Sequence, residues 1–292
     1  MTLELEVRSL MPARSFDRRS FLAAGVGVGF AACVVPSDAQ TIEAMIHTDA
    51  DGLVAGVVQV GPDKISAYRA KPATGGNAPV VLVVSEIFGV HEHIADVCRR
   101  LAKRGYYAIA AEFFERQGDV KTPTAIQDVI AVVARVPDVQ VMGDLDACVA
   151  FAAAEGASST RLAVTGFCWG GRITWLYAAH NPAVRAGVAW YGRLTSSFNP
   201  ALQPKNPIEL VGKLQAPVLG LYGGQDGGIP LTDIEKMKVV LSGGSPAAQA
   251  SEFMVYRDAQ HAFNADYRPS YHKASAEDGW KRMLAWFAAH GA

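Results

Sequence analysis

Only four cysteines occur in 292 residues, and the 27 basic and 28 acidic residues leave a net charge of −1. Cys33, Cys98, Cys148 and Cys168 lie too far apart to read as a disulfide framework. A balanced charge supplies no field to gather nucleic acid or an acidic membrane, so the expected partner is a small uncharged or weakly charged molecule. No apolar run is long enough to span a bilayer comfortably. A Gly-x-Gly-x-x-Gly fingerprint is also missing, since Gly25, Gly27 and Gly29 alternate without that spacing. His91 and His93 invite a metal reading, but residues two apart on a helix do not share a face and no Cys or His pair joins them. Neither a metal nor a cofactor is implied.

The first forty residues differ from the rest. Asp17-Arg-Arg-Ser-Phe-Leu22 leads into an apolar run from Phe21 to Val35, with small residues at Ser37-Asp-Ala39. This resembles a twin-arginine export signal cleaved after Ala39, so residues 1–39 are read as a signal peptide and 40–292 as one domain. Export places the mature chain in the bacterial periplasm, with lipid attachment at Cys33 as the alternative. Loss of Cys33 leaves three cysteines, so at least one thiol is free. Cys98 and Cys148 sit in helical patterns beside apolar neighbours, as small core residues do. The expected assembly is a monomer or small homo-oligomer.

Segments 53–60 and 64–70 are extended and β-branched around Gly61-Pro-Asp63, which predicts an antiparallel hairpin at a sheet edge. Pro79-Val-Val-Leu-Val-Val84 is a continuous apolar run, the mark of a strand covered on both faces. Helix 91–104 follows, with Ile94, Val97 and Leu101 on one stripe and Gly105 beyond it. Alternation continues with strand 106–111, helix 141–154, strand 162–165, helix 170–179, strands 186–191 and 217–222, helix 231–241, strand 252–256 and helix 275–289. Such alternation predicts an α/β fold, a mostly parallel sheet with helices on both faces. Residues 196–213, rich in Pro and Asn, read as a long surface loop.

The chemistry concentrates in the loops after strands. Gly166-Phe-Cys-Trp-Gly170 links a strand to a helix, and a Gly-x-nucleophile-x-Gly turn needs its glycines because neighbouring chain lies too close for side chains. A cysteine at a helix N-terminus is favoured as thiolate. Two further strand ends supply the partners: Asp226 in Gly223-Gly-Gln-Asp226 and His261 in Asp258-Ala-Gln-His261. The order Cys168, Asp226, His261 is that of α/β-hydrolases. Asp258 is the competing acid, and Asp226 is preferred for its strand end. Glu86, straight after an apolar strand, is a partly desolvated carboxylate able to exchange a proton with a thiol.

Ser85-Glu-Ile-Phe-Gly-Val90, Gly166-Phe-Cys-Trp-Gly-Gly171, Tyr222-Gly-Gly-Gln-Asp226 and His261-Ala-Phe263 together resemble the dienelactone hydrolase (carboxymethylenebutenolidase) family, from about Leu53 to the C-terminus. The resemblance implies an α/β-hydrolase fold and hydrolysis of a lactone or small ester. It gives Glu86 the role of holding the thiol at rest and taking part in its activation. The oxyanion hole falls to the Trp169 backbone N–H and, by family position, to that of Ile87. Arg116, ending Glu112-Phe-Phe-Glu-Arg116, matches a substrate-binding arginine. The family's second arginine, four residues past the histidine, is Ala265 here; Arg268 is the nearest replacement, with a surface salt bridge as its competing use. The resulting expectation is a hydrolase with a cysteine nucleophile and a thioester intermediate. Its rivals are a general carboxylesterase or thioesterase of the same fold and a non-catalytic ligand-binding protein on a hydrolase scaffold.

Overall fold

The computed structural model describes residues 45–123 and 125–292. The export-signal reading of residues 1–39, with Cys33, lies outside them.

Eight strands form one sheet in the order β1-β2-β4-β3-β5-β6-β7-β8. Strands β1 (Leu53–Val60) and β2 (Ile65–Pro72) make the expected edge hairpin, paired from Leu53↔Pro72 to Val60↔Ile65, and β2 runs antiparallel to β4 (Tyr107–Ala111). The remaining neighbours, through β3 (Pro79–Val84), β5 (Ser158–Phe167), β6 (Val184–Trp190), β7 (Val218–Gly223) and β8 (Glu252–Tyr256), pair in parallel. Val80 to Val84 are completely buried, as an apolar run covered on both faces should be.

Two helical layers provide that cover. On one face lie α1 (Glu92–Ala102) and, later in the chain, the long C-terminal helix Lys273–Ala289; the Arg100 guanidinium stacks 3.9 Å from the Trp280 ring between them. On the other lie α3 (Asp138–Ala154), which follows the short α2 (Ile126–Val133), and α4 (Trp169–His180). Tyr177 of α4 donates to Asp146 of α3, and the buried Arg172 fork is bidentate on Asp138 at 2.7 and 2.8 Å. Helices α5 (Leu231–Ser242), α6 (Pro246–Gln249) and α7, the C-terminal helix, complete the chain. Among the described residues no helix is long and apolar enough to cross a membrane.

Two expectations need correction. Helix α2 was not foreseen in the stretch before α3. The loop 196–213 is not wholly a surface loop: it closes with a 3-10 helix, Pro207–Lys213, and Gln203 is buried with its amide donating to the Val133 and Val136 carbonyls. Val133 is the last residue of α2 and its carbonyl also accepts Val136 N, so the amide ties the loop to the end of that helix.

Candidate active site

In parallel register, Val84, Gly166 and Ala189 stand abreast in β3, β5 and β6, so the loops leaving these strands emerge side by side. Glu86 lies two residues past β3, Cys168 one past β5, Asp226 three past β7 and His261 five past β8. This is the carboxyl edge where α/β sheets hold ligands.

Cys168 takes φ +54° and ψ −113°, a left-handed conformation that costs a non-glycine residue about 1–3 kcal/mol. Close packing enforces it. A Cβ on Gly166 would collide with the Gly170 carbonyl and lie 2.8 Å from Thr174 Oγ1; one on Gly170 would collide with the Val84 carbonyl and lie 2.7 Å from Ser85 O. The turn is also tied down by Cys168 N donating to Trp190 O at 3.0 Å. The thiol therefore sits at the N-terminus of α4, with the loop that carries Glu86 and Ile87 pressed against the same turn.

His261 and Asp226 have fully buried side chains, and Nδ1 meets Asp226 Oδ2 at 2.7 Å. The other carboxylate oxygen accepts from Gly228 N at 2.9 Å and Ile229 N at 3.1 Å, which fixes the carboxylate's rotation. Burial pulls the imidazole's pKa down, but the Asp226 and Cys168 charges and their hydrogen bonds outweigh it, and the pKa rises well above the ordinary histidine value. Cys168 is thus one of the two side chains that act on the ring, with Asp226 on Nδ1. Asp258, the competing acid, is exposed and remains outside this network.

Glu86 is fully buried; its Oε2 accepts the Tyr267 hydroxyl at 2.5 Å, and Oε1 has no partner among the described residues. His91 Nε2 lies 3.3 Å from that hydroxyl and 3.9 Å from Glu86 Oε2. Burial first, then the neighbouring His93, Arg268 and Lys121, press the His91 pKa well below its ordinary value, so its ring is neutral. Tyr191, at φ +37° just past β6, sets its ring edge-on to His261 at 5.2 Å. Neither Tyr267 nor Tyr191 was singled out from the sequence. The positive φ of Tyr191 has no sequence signature, whereas Tyr267 beside Arg268 in a glycine-free loop after the histidine was a visible hint.

His91 and His93 do come together, with rings 6.1 Å apart and both against Tyr267. The helical face argument fails because His91 is the N-cap of α1, with extended backbone (φ −105°, ψ −178°). His93 Nδ1 is held by Asp266 Oδ1 at 2.9 Å. Among the described residues, the cluster with metal-ligand spacing is His47, Glu92 and Asp96, and there the Arg99 guanidinium already sits on both carboxylates.

The two candidate arginines differ. Arg116 is paired with Asp63 at 2.8 Å and with Asp144. Arg268 is only 5% exposed, contrary to a surface salt bridge, and its guanidinium lies 4.8 Å from the Phe88 ring and 5.3 Å from the Tyr267 ring. Trp169 packs on Phe113 and Phe114 at 5.7 and 4.9 Å, giving the turn an aromatic wall.

A family model described as "Dienelactone hydrolase family" matches residues 65–291. A Methylorubrum extorquens protein described as "Putative carboxymethylenebutenolidase" is 56% identical over 292 residues, covering 99% of this chain and 98% of its own. One from Salmonella typhimurium with the same description is 52% identical over 262 residues, 88% and 95% of the two chains. The crystal structure of a "Putative Dienelactone Hydrolase" from Klebsiella pneumoniae superposes with TM-score 0.78 at 51% identity, covering 81% of this chain and 98% of that one.

Proposed function

The chain belongs to the dienelactone hydrolase family, and on that premise we propose that it cleaves a small lactone or ester bearing a carboxylate, through Cys168 and a thioester. The observation that carries this reading is the strained cysteine at a helix N-terminus coupled to a buried His261–Asp226 pair.

The reaction follows from the groups in place. Cys168, as thiolate, attacks the carbonyl carbon, and the resulting oxyanion accepts the Ile87 and Trp169 backbone N–H groups. Collapse breaks the carbon–oxygen bond as the His261 imidazolium, through Nε2, gives its proton to the leaving alkoxide. For a lactone, that alkoxide stays tethered to the acyl chain. The neutral imidazole then takes a proton from water, whose hydroxide attacks the thioester; the thiolate leaves and a carboxylic acid is released. Asp226 orients the ring throughout. Glu86 is assigned, by family resemblance, the partner role to the thiol.

Arg268 is the stronger candidate for the substrate's carboxylate, because a buried guanidinium beside the Glu86 loop is worth more to an anion than an exposed one. Arg116 would serve by exchanging Asp63 or Asp144 for the substrate. The runner-up, a general carboxylesterase or thioesterase acting on neutral acyl groups, is supported by the apolar wall of Phe113, Phe114 and Trp169. The experiment is a steady-state panel of carboxylate-bearing lactones and neutral aryl esters on wild type, Arg268→Ala and Arg116→Ala. An Arg268→Ala KM raised at least tenfold for the anionic substrates alone is the expected result; equal effects on both classes would remove the arginine's role and favour the runner-up. Export of the chain by residues 1–39 is part of the same proposal and rests on Arg18, Arg19 and the apolar run after them.

A further inference from the structure

Tyr191 is the first residue after β6, and backbone hydrogen bonds fix its place beside the nucleophile turn. Cys168 N donates to Trp190 O at 3.0 Å and Tyr191 N donates to Leu221 O at 2.8 Å, so this stretch is stitched to the cysteine on one side and to β7 on the other. Tyr191 is completely buried, and its φ of +37° is a strained conformation for a residue with a Cβ, of the kind that gathers at functional sites. Its ring meets the rings of His261 and Phe263 edge-on, both at 5.2 Å.

The ring is packed, but the one polar atom on it is not satisfied. The Tyr191 hydroxyl is buried and has no hydrogen-bond partner among the described residues. Glu86, the carboxylate that faces it, does not take its proton: Oε2 accepts the Tyr267 hydroxyl at 2.5 Å, and Oε1 has no partner. A phenylalanine would fill the same space without the cost of an orphaned hydroxyl, so packing alone does not account for a tyrosine here. Burial first, then the Glu86, Tyr267 and Cys168 charges, push the phenol's pKa well above its ordinary value against the opposing charge of Arg268. The hydroxyl keeps its proton and presents a neutral donor inside the catalytic cluster.

The proposed reaction contains an oxygen in need of such a donor. When the tetrahedral adduct of a thiolate collapses, the thiolate leaves more readily than an alkoxide, so the adduct reverts to substrate unless the departing oxygen is stabilised. His261 supplies that oxygen's proton, and Tyr191 is the hydroxyl-bearing ring packed on His261. We propose that Tyr191 is a catalytic residue whose hydroxyl donates a hydrogen bond to the leaving oxygen of the ester or lactone, a role that rests on Cys168 being the nucleophile. The carbonyl carbon–oxygen bond breaks, its electron pair goes to the leaving oxygen, His261 gives the proton, and the Tyr191 proton stays on the phenol.

The test is Tyr191→Phe, which removes the hydroxyl and keeps the ring on His261. Because the hydroxyl bonds nothing in the protein, Tm should stay within about 2 °C of wild type or rise. The kinetic readout is kcat/KM, which reports acylation, on p-nitrophenyl, phenyl and trifluoroethyl acetate. p-Nitrophenolate leaves unaided, so its ester should lose less than about threefold, whereas the trifluoroethyl ester should lose about tenfold to a hundredfold, the range of a hydrogen bond to a charged acceptor expressed as rate. A structural hydroxyl would lower Tm by several degrees and slow all three esters alike. That result overturns the proposal, as does no loss on any ester, or a loss confined to KM for carboxylate-bearing substrates. Should Tyr191→Phe fail to fold, 3-fluorotyrosine at position 191 decides: its more acidic hydroxyl should raise turnover of the trifluoroethyl ester and leave the p-nitrophenyl ester unchanged, and an equal response on both refutes the role. Cys168→Ala separates the two readings. If it keeps wild-type turnover, the nucleophile assignment has failed; if it is inactive while Tyr191→Phe slows every ester alike, only the role of Tyr191 has.

Discussion

Replacing Asp226 by Asn changes one atom, yet the surroundings of the carboxylate turn it into a test of the base. Oδ1 accepts two backbone N–H groups, from Gly228 and Ile229, while Oδ2 faces His261 Nδ1. The single carbonyl oxygen of an asparagine keeps the two backbone donors and leaves its NH2 pointing at Nδ1. The imidazole must then carry its proton on Nε2, where it can no longer accept one from Cys168. The lost charge adds to this: two unit charges with centres roughly 4 Å apart interact by about 4 kcal/mol at an effective dielectric of about 20. At about 1.4 kcal/mol per decade, a fall in kcat/KM of roughly 10³-fold follows. The direction in pH is also set. In the wild type Asp226 and Cys168 hold His261 well above its ordinary pKa, so the imidazolium that would support a thiolate persists to higher pH. In Asp226→Asn that support is gone, and both alkylation and hydrolysis should rise only as pH approaches the ordinary thiol range. The assay is kcat/KM on p-nitrophenyl acetate and iodoacetamide alkylation, each followed from acid to alkaline pH. A variant within threefold of wild type, with an unshifted alkylation profile, would refute the assignment of His261 as base and Asp226 as its orienter.

Gly170→Ala drives a Cβ into the Val84 and Ser85 carbonyls, which are backbone and cannot step aside. We expect a loss of ~1–3 kcal/mol, a Tm lower by roughly 3–9 °C, and at least a tenfold loss of kcat as the Glu86–Ile87 loop shifts. Differential scanning calorimetry and steady-state kinetics check it, and an unchanged kcat in the folded variant would show that this loop tolerates displacement. Gly105→Ala serves as the contrast: φ is +92° but nothing lies within 4 Å, so backbone strain of about 1 kcal/mol and unchanged kinetics are expected.

Much of this architecture is written in the sequence because the physics that writes it is strong. A strand such as Pro79–Val84, buried on both faces, must be uninterruptedly apolar, and a strand-to-helix turn packed against neighbouring backbone must carry glycines at Gly166 and Gly170. The order Cys168, Asp226, His261 is legible for the same reason, since each follows a recognisable strand. Long-range placement is not. Arg268 reads as a surface residue by type, and only the packing of its loop against Phe88 and Tyr267 buries it. Arg116 reads as a ligand contact, while the fold supplies it with Asp63 from the hairpin turn and Asp144 from α3. His91 escapes the helical face rule because an N-cap does not obey helical geometry. Eight-residue α2 lacks both a capping side chain and a run long enough to stand out.

The central claim, that Cys168 carries the acyl group, is tested most directly by rapid-quench mass spectrometry of the enzyme mixed with p-nitrophenyl acetate. A burst of p-nitrophenol should accompany one added acetyl group, labile to hydroxylamine and confined to the peptide containing Cys168. Cys168→Ala should show neither burst nor adduct and should keep the wild-type fold. An adduct on another residue, or turnover by Cys168→Ala within tenfold of wild type, would contradict it.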